Sequence, residues 1–116
     1  MLKLIEKDNF FEMANARPNK TGLKMVIWIF PKTGKEKHEC PRIKVQNVYG
    51  DKCSNNWFSV SIDKENPEVL VGSTDKLNQK DLNKVFLFVR LNYETLMRLW
   101  RDEIDSHDCI SAFNKV

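Results

Sequence analysis

The side chains suited to chemistry begin with two His-x-Cys pairs, His38-x-Cys40 and His107-x-Cys109, with Cys53 between them. Imidazole and thiolate are the ligands of structural zinc. Zinc sites, however, draw their pairs from Cys-x(2 to 4)-Cys or His-x(3 to 5)-His spacings that turn both ligands onto one ion, and neighbours one residue apart converge only on a strand or tight turn. That spacing favours small buried thiols and loop histidines over a metal centre. Asp105, His107 and Cys109 have the types of a nucleophile with its base and orienting acid, but they crowd into one local segment that does not easily bring them together. His38 with Arg42 and Lys44 would suit a metal-free ribonuclease, an acid–base group beside phosphate-binding cations. Neither a P-loop, a Gly-x-Ser-x-Gly elbow nor a dinucleotide fingerprint is present. The sequence therefore assigns no catalytic residue, no cofactor and no metal.

Binding chemistry is more legible. The 116 residues hold 19 Lys and Arg against 16 Asp and Glu, a net charge of +3, yet the excess is local: residues 17–52 alone carry nine cations against three anions. Lys24, Trp28, Lys35, Lys37, Arg42, Lys44 and Trp57 are the expected contact face, cations and indoles on strands and the loop between them. A basic sheet face with aromatics holds phosphates and stacks bases, or docks on an acidic protein surface; a half-exposed strand also uses Lys and Arg simply to stay soluble. A protein partner is the first expectation and nucleic acid the second. The acidic residues Asp102, Glu103, Asp105 and Asp108 are expected at a helix C-terminus, where the dipole disfavours them, with partial compensation from Arg98 and Arg101.

The elements that must position these residues follow from periodicity. Residues 79–104 place Leu82, Val85, Phe86, Val89, Tyr93, Leu96, Met97, Trp100 and Ile104 at three- and four-residue steps, an amphipathic helix capped by Asn78. Arg90, Glu94, Arg98 and Asp102 form its solvated ladder. Leu87, Phe88, Leu91 and Leu99 widen the apolar stripe, so its spare surface is expected to meet the N-terminal segment or a second chain, the latter as a homodimer through Leu87, Leu91 and Leu99. Residues 23–30, 42–48 and 57–62 alternate with period 2, and 68–71 make a fourth short strand between Pro67 and Gly72. Polar, turn-rich connections make these an antiparallel meander. A short helix is expected at residues 9–15, ended by Arg17 and Pro18, and one last turn in the tail. The expected fold is α+β: about four antiparallel strands with one long C-terminal helix packed across one face and a short N-terminal helix, residues 1–116 forming a single domain.

At 41% apolar and 30% charged residues the chain falls in the globular range, outside disordered tails and collagen-like repeats. No apolar run approaches the roughly 18 residues of a membrane span, and Lys3, Glu6, Lys7 and Asp8 interrupt any signal-like stretch. Three cysteines, an odd count, read as reduced thiols. A cytoplasmic protein is expected, with no membrane partner.

From Met25 to Asp105 the order of pieces resembles a family of small uncharacterised bacterial and phage proteins. Its members show a first strand, a loop ending in His and Pro, a strand typically reading Pro-His-x-His-Val, a third strand, a Pro-x-Val-Leu-x-Gly strand and a helix ending in Trp before an acidic residue. The counterparts here are residues 25–30, His38 to Pro41, Pro41-Arg42-Ile43-Lys44-Val45, residues 57–62, Pro67-Glu68-Val69-Leu70-Val71-Gly72 and residues 96–104 with Trp100. The resemblance implies a toxin-antitoxin or mobile-element setting. Arg42 and Lys44 stand where the family often has two histidines, which speaks against an imidazole role at those two positions and keeps an electrostatic one open. The resulting expectation is a non-enzymatic phage or mobile-element inhibitor that docks to a host defence complex, as anti-CRISPR proteins do; the alternative is nucleic-acid binding or ribonuclease action within a toxin-antitoxin pair.

Overall fold

Residues 14–31 and 40–116 are described by the structure, a computed structural model. The strands β1 (Ala14–Ala16), β2 (Ile27–Ile29), β3 (Arg42–Gln46), β4 (Trp57–Ser61) and β5 (Val69–Gly72) lie side by side in chain order, and every neighbouring pair is antiparallel. The meander is as the turn-rich loops imply, with five strands rather than about four. The additional strand is β1, Ala-Asn-Ala, whose residues have little strand preference of their own. Pairing with β2 makes it a strand: Ala14 and Ala16 sit opposite Ile29 and Ile27, while Asn15 faces Trp28.

The short helix also moves. Ala14 and Asn15 are strand, residues 9–13 of the expected helix lie outside the described residues, and Pro18 opens a helix instead of ending one. It is the first residue of α1 (Pro18–Thr21), where its fixed φ and missing N–H cost nothing. Gly22 closes α1 in the left-handed conformation, φ 83°, and a Cβ there would strike the backbone oxygen of Val116.

The helix expected over residues 79–104 is two helices, α2 (Gln79–Leu91) and α3 (Tyr93–Trp100), followed by α4 (Ser106–Ser111). Asn92 breaks it. Its buried amide donates to the Phe88 carbonyl and the Asn114 carbonyl, both at 3.0 Å, and accepts the Asn114 N–H at 2.8 Å, so the side chain clasps the returning tail. α3 ends in a Schellman turn: the Glu103 N–H reaches Arg98 O and the Asp102 N–H reaches Leu99 O, with Asp102 left-handed at φ 63°. The acidic run is consequently not one helix C-terminus. Asp105 caps the start of α4 by accepting the Asp108 N–H at 2.8 Å, and both carboxylates there are favoured by the dipole. Arg98 and Arg101 both face Glu103, at 3.7 and 3.0 Å, rather than Asp102 and Asp105.

Strand alternation sorts the sheet into two faces. Ile27, Ile29, Ile43, Val45, Phe58 and Val60 form the inner face and pack with Val85, Phe88, Val89, Leu96, Leu99 and Cys109 from the helices in one core. Burying Phe58 and Phe88 contributes about 2–3 kcal/mol each. Leu99, at 2% exposure, belongs to this core and is removed from the homodimer surface; Leu87 and Leu91 remain at 44% and 48%. Among the described residues no helix is long and apolar enough to cross a membrane.

Candidate functional site

The outer sheet face is built by the residues that alternate with the core set. Trp28, Lys44, Ser59 and Val71 stand in one cross-strand row, and the adjoining pairs Arg42–Ser61 and Gln46–Trp57 lie on the same face. The Lys44 ammonium sits 4.2 Å from the centroid of the Trp57 ring and 5.9 Å from that of Phe30, within reach of both ring faces. The Arg42 guanidinium turns along the strand, its Nε donating to the Cys40 carbonyl at 3.3 Å. Phe30 in turn meets Trp100 edge-on at 6.2 Å, which ties this face to the end of α3. Of the expected contact residues, Trp28, Arg42, Lys44 and Trp57 thus share one face and are half-buried, while Gln46, Ser59 and Ser61 of the same face are buried. Lys35 and Lys37 lie outside the described residues, as does His38.

Lys24 is elsewhere. The expected strand over residues 23–30 is regular only over Ile27–Ile29, and bends at Lys24 and Met25 carry Lys24 to the end of the sheet. There an open cleft of about 950 Å³ is lined by Arg17, Lys24, Tyr49, Asp51, Asn78 and Asp81, among others. Its floor holds the Asp81 carboxylate, 5% exposed. Tyr49 donates its hydroxyl to Asp81 Oδ2 at 2.6 Å and accepts the Asn78 N–H at 3.0 Å, while the Lys24 ammonium stands 3.9 Å from Oδ1.

These contacts fix the protonation pattern. The Tyr49 hydrogen bond and the Lys24 charge hold the Asp81 carboxyl below its ordinary range, although burial pulls the other way. The same hydrogen bond to Asp81 holds the Tyr49 phenol above its ordinary value. Asp81 therefore stays ionised and Tyr49 stays protonated across the neutral range, and the proton does not move between them. Their contact stabilises the fold above the carboxyl's unfolded pKa and below the phenol's unfolded pKa. It fades as pH falls through the depressed value of Asp81 or rises through the elevated value of Tyr49. Chemically, the pair fastens the loop of Tyr49 to the start of α2.

The sets considered for nucleophilic and metal chemistry do not assemble. Cys109 is fully buried, its Sγ donating to the Thr95 carbonyl at 3.8 Å, and burial pushes its thiol up to about 12. His107 is exposed and Asp105 is engaged as the α4 cap, so neither activates that thiol. Cys40 and Cys53 are exposed, and among the described residues no group of three or more His, Cys, Asp or Glu side chains is placed to hold a metal.

Phe30, on the strand face of Trp28 by alternation, joins the outer face as expected, and Val71 joins it in addition. Residues 28 and 30 share parity, but Val71 does not follow from parity: the register shift between Ser59 and Val60 leaves Val69 against the core and sets Val71 opposite Ser59. Asp81 and Tyr49 are 32 residues apart, and no local pattern pairs them. Compared with family models, with curated proteins and with solved structures, the chain matches none.

Proposed function

We propose that the protein is a non-enzymatic binding protein that docks on another protein through its outer sheet face, with Trp28, Arg42, Lys44 and Trp57 as anchors. The observation that carries this reading is the Lys44 ammonium on the Trp57 ring at 4.2 Å. Base stacking uses open ring faces, and the Lys44 ammonium occupies one face of Trp57. What remains is an amphipathic surface of indole, aliphatic stem and charge with Val71 at its margin, the composition found at the centres of protein interfaces. Blockade of a host defence complex, in the manner of anti-CRISPR proteins, is the setting that the family resemblance supplies.

The test is a tagged pull-down from lysate of the source cells, with and without nuclease, using the natural chain and an Arg42→Glu/Lys44→Glu variant whose thermal unfolding is checked to be intact. A stoichiometric protein that survives nuclease and is lost with the variant is the expected result. Equal capture by the variant overturns the assignment to this face, and loss of the captured material on nuclease treatment transfers the reading to nucleic acid.

A further inference from the structure

β5 is one edge of the sheet, β1 being the other: it pairs with β4 and, among the described residues, with no strand beyond it. Natural edges are usually short, charged or covered, because an open edge presents unpaired backbone groups that template another strand. This edge is short but apolar and open, with Leu70 38% and Val71 52% exposed. The charge lies at its two ends. Asp63, Glu65 and Glu68 precede the strand and Asp75 follows it, against Lys64 and Lys76, so this is an acidic stretch in a chain of net charge +3.

Two of these carboxylates are held in place. Asp63 accepts the N–H groups of Glu65 and Asn66 at 2.9 and 2.8 Å, and Asp75 accepts from Asn47 and Ser73 at 2.8 and 2.9 Å. Those hydrogen bonds also keep both carboxyls below their ordinary range. Asp75 turns back to Asn47 at the end of β3, so the charge beside the open edge is that of Asp63, Glu65 and Glu68 with Lys64 among them. A cationic strand added at this edge complements those carboxylates. Backbone groups would supply the hydrogen bonds, Leu70 and Val71 the apolar contact, and the flanking acids the sign.

We infer that β5 is a strand-addition site that accepts an extended, basic and partly apolar segment of a protein partner as a sixth strand. The inference stands independently of docking through Trp28, Arg42, Lys44 and Trp57. It is tested on the full chain by amide chemical-shift titration with two capped synthetic peptides, one alternating Lys and Val, the other Glu and Val. The Lys peptide is expected to perturb the amides of Val69–Gly72 and slow their hydrogen exchange. Added salt, or a Glu65→Lys/Glu68→Lys variant with unchanged thermal unfolding, is expected to weaken its affinity, the variant by about tenfold. Three results would overturn the proposal: no response at β5, an equal response to the Glu peptide, or β5 amides already protected in a concentration-dependent dimer without peptide.

Discussion

At Asp102 the backbone adopts φ 63° so that the two Schellman hydrogen bonds, Glu103 N–H to Arg98 O and Asp102 N–H to Leu99 O, can close α3. An L side chain in that conformation crowds its own carbonyl, and glycine does not. The exposed Asp102 makes none of the ion pairs of this turn, which go from Arg98 and Arg101 to Glu103. Asp102→Gly is therefore expected to stabilise the protein by about 0.5–1 kcal/mol, less than the bare conformational cost because glycine also loosens the unfolded chain. Thermal unfolding should show a Tm raised by a few degrees; a lowered Tm would mean that the carboxylate holds the turn. Single residues also decide how much of the candidate site could be read from sequence. Trp28, Lys44 and Trp57 were legible because alternation on a regular strand fixes their face. Lys24 was not, because two bends before β2 cancel the alternation that would have placed it there.

At the scale of elements, the apolar period runs unbroken from Leu82 to Trp100, and nothing in it marks Asn92 as a boundary. The reason lies in what that period cannot contain: the partner of the Asn92 amide is the backbone of Asn114, 22 residues away. The same holds for β1, where two alanines and an asparagine carry no strand signal until Ile27 and Ile29 are beside them. Period and turn chemistry thus expose elements that bury a large apolar face, and hide those made by long-range hydrogen bonds. Asn92→Ala removes the clasp while improving helix propensity, so the two effects compete. The propensity gain is below about 1 kcal/mol, whereas losing the two hydrogen bonds to Asn114 and the one to Phe88 costs about 1–3 kcal/mol. Net destabilisation is expected in a denaturant melt, with fast hydrogen exchange at Asn114; an unchanged midpoint would show that α2 and α3 hold their angle without the tail.

For the molecule as a whole, the sheet, α3 and α4 meet in one core, and Cys109 reports on it from inside. Its side chain belongs to the cluster that joins Ile43, Val60 and Leu96, and Phe113 and Val116 of the tail pack against the same cluster. Val116 is also fastened to the other end of the chain, its N–H donating to the Thr21 carbonyl at 3.0 Å. Exposure of Cys109 accordingly requires α4 and the tail to leave the sheet, which amounts to opening most of the fold. Its thiol, pushed up to about 12 by burial, is also unreactive in place, since the thiolate is the nucleophile. Cys40 and Cys53 are exposed. A disulfide-exchange reagent at neutral pH should therefore titrate those two thiols in the native protein and Cys109 only on unfolding. The rate at Cys109 should rise with denaturant along the global unfolding curve measured by circular dichroism. A Cys109 rate that is independent of denaturant would instead show α4 opening as a separate unit, and the core would then divide between the sheet with α2 and α3 on one side and the tail on the other.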